Sequence, residues 1–158
     1  MTLSETVLQK VADWRPAGGD REILAIAPEG SGWSVAVTVD RKDDLGCLLW
    51  EVTVKAPANR ANMTLQSWAY QMAENVRGLL ERLKVVEIDV ERREAMLRSD
   101  GPSQRGDQLA YYEIMIAGTA DATLRRYRAL RQGNQRRQQV PFTLTHEVLA
   151  KVVGDMAS

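Results

Sequence analysis

The chain has 158 residues, 21 basic against 21 acidic, and its formal net charge is zero. That balance gives no global field to draw in a polyanion or an anionic membrane, and no apolar run approaches the roughly 20 residues that a membrane-spanning helix needs. Cys47 is the only cysteine, which excludes an intrachain disulfide and fits a reducing compartment.

Leu3, Val7, Leu8, Val11 and Trp14 share one face at helical spacing, Thr2 and Glu5 have capping-box spacing, and Pro16 to Gly19 is a stop, so residues 3–14 read as a helix. Neither a basic leader nor an apolar signal core opens the chain, and a cytoplasmic location is expected. A meander follows. Glu22–Ala27 is a first strand, and Trp33–Asp40 a second, in which Trp33, Val35, Val37 and Val39 alternate with Ser34, Ala36 and Thr38. In a third strand, Cys47–Lys55, alternation places Leu48, Trp50, Val52 and Val54 on one face and Leu49, Glu51, Thr53 and Lys55 on the other.

The strongest helical period spans 64–83. Leu65, Trp68, Ala69, Met72, Val76, Leu79, Leu80 and Leu83 form its stripe, and Gln66, Gln71, Glu74, Arg77, Glu81 and Arg82 its wet side. The Asn62-Met63-Thr64 triplet matches a glycosylation acceptor but reads as the opening of this helix. Beyond it, Val86, Ile88 and Val90 alternate with Glu87, Asp89 and Glu91 in a fourth strand that a bulge at Arg92-Arg93 would carry into 94–98. A turn-rich loop, 99–107, leads to a fifth strand, Leu109–Ala117.

Residues 119–142 admit two readings. Thr119 as cap, Asp121 in a first turn and Gly133 as stop suit a helix, whereas Gly133-Asn134 is a two-residue hairpin signal. The β-ribbon is preferred, with Tyr127 opposite Val140 and Ala129 opposite Gln138. A last helix, 145–156, has Thr145 as its cap and Leu144 and Leu149 as its staple. The sum is a single α+β domain over 1–158, an antiparallel sheet (meander 22–55 plus strands within 84–142) packed by helices 3–14, 64–83 and 145–156.

The order of Trp33–Lys55 as meander, Leu65–Leu83 as middle helix and Thr145–Met156 as last helix resembles the α+β fold of type III secretion chaperone-like proteins. The resemblance implies a small homodimer that binds other polypeptides and has no catalytic residues. It rests on element order alone. The neutral charge and the additional ribbon at 121–142 depart from the family pattern.

Chemistry-bearing motifs are sparse. The lone histidine, His146, rules out multi-histidine metal sites, and Cys47 opens an apolar strand where an inert buried thiol is the common outcome. His146, in the first turn of its helix, is expected to be solvated. Glu87, Asp89 and Glu91 share one side of a strand, which would suit a carboxylate-based enzyme site but reads more simply as a solvent face. Asp40, Asp43 and Asp44 fall in a hairpin turn and lack the calcium-loop pattern. Neither a phosphate-binding loop nor a nucleophile elbow occurs, so no metal and no cofactor are expected.

One surface is biased. Arg125, Arg126, Tyr127, Arg128, Arg131, Arg136 and Arg137 fall together with no acid among them. Guanidinium groups fork onto carboxylate or phosphate, and a tyrosine can stack. They are the candidate partner- or anion-binding residues, although charge can also merely protect an edge ribbon from pairing, or be neutralised by Glu87, Asp89, Glu91 and Glu113. The leading expectation is a non-enzymatic protein- or peptide-binding domain whose partner is another polypeptide, with self-association as a homodimer included. A nucleic-acid-binding module using 125–137 is the alternative, and a small carboxylate enzyme the third.

Overall fold

The computed structural model describes residues 1–132 and 136–158. Three helices, α1 (Leu3–Asp13), α2 (Leu65–Asn75) and α3 (His146–Met156), pack with one antiparallel sheet. Its strands are β1 (Glu22–Ile26), β2 (Ser34–Lys42), β3 (Gly46–Lys55), β4 (Leu83–Asp89), β5 (Glu94–Ser99), β6 (Ser103–Arg105), β7 (Gln108–Ala117), β8 (Asp121–Leu130), β9 (Gln138–Val140) and β10 (Phe142–Thr145). The main path runs β1-β2-β3-β8-β7-β5-β4, with β6 on β7, β9 on β8 and β10 on β3. The α+β class and the antiparallel sheet are those the alternation demanded.

α1 begins with the expected capping box: Thr2 Oγ1 accepts the Glu5 N–H at 3.1 Å and Glu5 Oε2 accepts the Thr2 N–H at 3.2 Å. α3, in contact with both α1 and α2, lies between them over β3 and β10. Leu149, Ala150, Val152, Val153 and Met156 are all buried, so α3, and not the middle helix, is the centre of the helical layer. Ser4 Oγ donates to the Ala150 carbonyl at 2.9 Å, and Gly154 lets the helices close: a Cβ there would lie 3.2 Å from Ser4 Cβ.

The middle helix is shorter than its period suggests. It ends at Asn75, and the apolar sequence from Val76 to Leu83 leaves it. Val76 turns extended, Gly78 packs on Val148 and Val152, Leu79 is buried, Leu80 is 76% exposed and Leu83 already belongs to β4. A glycine in the next turn weakens the helix, and in the extended path that follows Val76 and Leu79 are both buried. Trp68, fully buried, pins what remains by donating Nε1–H to the Met156 carbonyl at 2.9 Å.

Two bulges and one chain reversal reset three strand readings. Across β2–β3, Thr38 pairs with Glu51 but Val39 with Leu49, so Trp50 is an extra residue. A bulge reverses the parity of all that follows. Cys47 and Leu49 therefore join Val52 and Val54 in the core, and Trp50 moves to the opposite face beneath the Arg21 guanidinium, 3.8 Å from its ring centroid. In β4 the irregularity falls at Val86, which is left exposed; Val85 and Ile88 point inward instead. At Arg92-Arg93 the chain reverses, Arg93 taking φ 57°, so β4 and β5 form a hairpin and not one bulged strand.

Of the described residues in this region, Asp121–Leu130 and Gln138–Val140 are β, as preferred, but the register between them differs by one residue. Tyr127 faces Gln139, and Arg128 faces Gln138. The Gly133-Asn134 turn lies outside the described residues. The segment after it resolves a divergence in the sheet. β3 pairs with β8 only from Val52 to Lys55. Where the two strands separate, β9 follows β8 and, past Pro141, β10 follows β3. β10 was not foreseen, because its Phe142 and Leu144 read equally well as the lead-in to a helix.

Candidate functional site

The arginine ribbon does not form one surface. Alternation along β8 sends Arg125 and Tyr127 to the helix-free face and Arg126 and Arg128 to the helix side. On the helix-free face, cross-strand neighbours make a row of alternating charge, Arg98–Glu113–Arg125, which Glu51 continues. Arg125 Nε donates to Glu51 at 2.9 Å and Arg98 Nε to Glu113 at 2.9 Å. Arg137 also bonds Glu113 and lies 3.7 Å over the Tyr127 ring. The Glu113 hydrogen bond raises the Arg137 pKa further. Glu113 is only 4% exposed although no helix covers it, because arginines and Tyr111 enclose it. Of the four acids expected to neutralise the ribbon only Glu113 does so; Glu51 and Glu81 take the places of Glu87, Asp89 and Glu91.

Arg126 is a structural residue. Its side chain is 11% exposed, and it forks onto Glu81 with Nη1–Oε1 at 3.0 Å and Nη2–Oε2 at 3.4 Å. Ser99 and Ser103 hydroxyls donate to the same carboxylate at 2.8 and 2.9 Å, and Ser99 Oγ accepts the Tyr112 N–H at 2.8 Å. Every lone-pair direction of Glu81 thus has a donor, as burial of a charge requires. The sequence places Glu81 on a wet helix face; only the early end of α2 allows it to turn inward. Arg128, Arg131 and Arg136 are exposed and have no ion-pair partner among the described residues.

The other chemical candidates are also placed. Cys47 is buried and desolvation pushes its thiol up to about 11, which suppresses the thiolate. His146 is buried, contrary to expectation, since its N–H continues the β10–β3 ladder to the Leu45 carbonyl at 2.9 Å; its Nε2 has no partner among the described residues. Glu87 and Glu91 are exposed, and Asp89 caps the turn by accepting the Arg92 N–H at 3.0 Å. No set of three potential metal ligands gathers among the described residues. No helix among them is long and apolar enough to cross a membrane.

The feature that sequence reasoning missed is the second edge of β10. Phe142 and Leu144 face Leu49 and Cys47 of β3, and the His146 bond to Leu45 keeps the same register. Hydrogen-bonded positions alternate in an antiparallel pair, so Thr143 turns its N–H and C=O away from β3. No strand pairs with that edge among the described residues. It borders a groove of about 500 Å³ whose opposite wall is Gly78, Leu79 and Leu80, with Val148 at one end and Tyr112 and Arg126 at the other. Phe142 packs edge-on against Tyr112 with centroids 5.6 Å apart, and burial raises the Tyr112 pKa. Gly46 permits the close approach of β10 to β3: a Cβ there would meet the Leu144 carbonyl oxygen at 2.7 Å.

No family model, no curated protein and no solved structure matches this chain.

Proposed function

We propose that this is a non-enzymatic polypeptide-binding protein that takes an extended segment of its partner along the free edge of β10. The observation that carries the reading is an unpaired strand edge, with Thr143 offering both backbone groups, set beside an apolar groove. Strand addition draws affinity from main-chain hydrogen bonds and specificity from pockets for alternate side chains. Leu79, Leu80 and Val148 supply such a wall, and Leu80 stands 76% exposed at its rim. The absence of reaction chemistry in the proposal has its own support. The two buried carboxylates, Glu81 and Glu113, are held by arginines, and the thiol is suppressed.

Thr143→Pro tests it. The substitution removes the outward N–H and leaves the bonds of Phe142 and Leu144 to β3 in place. Peptides selected from a random library displayed on phage are expected to bind the wild-type chain and to lose at least about tenfold in affinity to Thr143→Pro, a loss of about 1.4 kcal/mol. Failure to enrich any peptide, or enriched peptides that bind the proline variant equally well, overturns the proposal. Where the partner is a second copy, light scattering gives a doubled mass that Thr143→Pro returns to the monomer.

A further inference from the structure

The floor of the β10 groove changes character at one end. β10 runs from Phe142, against Tyr112, to Thr145 at the start of α3. Tyr112 and Arg126 are cross-strand partners, and the next pair pointing the same way is Ala110 and Arg128. Successive same-face residues of a strand lie roughly 6.5–7 Å apart, so Arg128 follows directly on the Phe142 end. Ser103 pairs with Ala110, and Arg105 with Gln108, on the same side. Together with Arg128 they line a depression of about 330 Å³, for which the small Ala110 side chain leaves room.

Arg105 and Arg128 are exposed and have no ion-pair partner among the described residues. Arg128 is held in place by its Nη2 donating to Gln138 Oε1 at 3.0 Å. The other end of β10 carries the opposite sign, with Glu147 in the first turn of α3. The β10 edge is therefore flanked by opposite charges, with Glu147 beyond the end where β10 finishes and, in a separate depression beyond the end where β10 begins, Arg105 and Arg128.

We infer that the bound segment runs antiparallel to β10 and carries acidic side chains on the C-terminal side of its apolar stretch, where Arg105 and Arg128 receive them. This rests on the reading of β10 as the docking edge. Antiparallel pairing is the more stable of the two per residue, and a strand so oriented travels from Thr145 towards Phe142 and leaves over the arginines. Guanidinium groups fork onto carboxylates. Charge placed at one end fixes the register and direction of a strand whose backbone bonds alone would tolerate slippage.

The test uses the peptides enriched on the wild-type full-length chain. Acidic residues are expected to follow the apolar positions in them. Replacing those acids by glutamine, or combining Arg105→Ala with Arg128→Ala, is expected to weaken binding about tenfold each by fluorescence titration, with little further loss when both are made. A thermal melt of the arginine variant checks its fold. Enriched peptides that lack acids, or carry them only before the apolar stretch, overturn the inference while leaving the β10 edge standing. So does an unchanged affinity in the arginine variant. Peptides indifferent to Thr143→Pro overturn the β10 reading itself. A fluorescent single-stranded DNA that binds through the two arginines, and does so equally in Thr143→Pro, assigns them to nucleic acid and also overturns the inference.

Discussion

Two acidic residues, Glu113 and Asp43, illustrate how position decides what a charge does in this molecule. Glu113 lies on the helix-free face, 4% exposed, between Arg98 and Arg137. Glu113→Gln removes an acceptor from two guanidinium groups that are themselves partly solvated, so the loss is moderate: about 1–3 kcal/mol, read by urea denaturation. Asp43 works in solvent. Its Oδ1 accepts the Leu45 and Gly46 N–H groups at 2.8 and 2.9 Å in the β2–β3 turn, and those bonds hold its carboxyl below the usual carboxylate range. A depressed folded pKa means stability that is present above the unfolded value, near pH 4, and is lost as pH falls through the folded value. Amide exchange at Leu45 and Gly46 is expected to accelerate relative to their intrinsic rates on acidification below about pH 4, and Asp43→Asn to remove that pH dependence.

At the scale of elements, the segment after α2 is fastened by Glu81 to β5, β6 and β8 at once. Arg126→Ala leaves that carboxylate buried and without its charge partner, and is expected to cost about 3 kcal/mol or more. Arg126→Met combined with Glu81→Leu is expected to recover most of the loss, since burying neither charge removes the penalty. A thermal or chemical denaturation cycle of the wild type, Arg126→Met, Glu81→Leu and the double variant reads the coupling. The same geometry means that Arg126→Ala cannot report on partner binding, although the sequence places Arg126 at the centre of the basic cluster. Among the helices, α3 has the largest buried share. Leu149→Ala, at a fully buried position, is expected to cost about 2–5 kcal/mol by denaturation.

Over the whole molecule, the helices cover one face of the sheet, and the other is closed by its own charges and aromatic rings. Arg21 stacks on Trp50 and pairs with Asp40 at 2.8 Å; Thr53 and Thr123 hydroxyls meet at 3.0 Å; Tyr111 and Tyr127 lie 6.0 Å apart beside Glu113 and its arginines. What the fold leaves open is the gap where β3 and β8 diverge. β9 and β10 enter that gap, and β10 keeps one side unpaired. The proposed site is thus a product of sheet divergence, which needs strands far apart in the chain to be in place together.

Local pattern by itself determined the class of this protein, the antiparallel meander, the caps of α1 and α3 and the β character of β8 and β9. Each of these depends on residues within one element, where period, capping and turn chemistry act. The tertiary structure decided the rest. It ended α2 at Asn75, because burial of Val76 and Leu79 in an extended path, with Gly78 against α3, competes with further helical turns. It turned Trp50 outward by a single extra residue in β3, and it split the arginines between two faces, joining Arg126 to a glutamate 45 positions earlier. Bulges, buried ion pairs and open strand edges are set by partners distant in sequence, and one chain read residue by residue does not contain that distance.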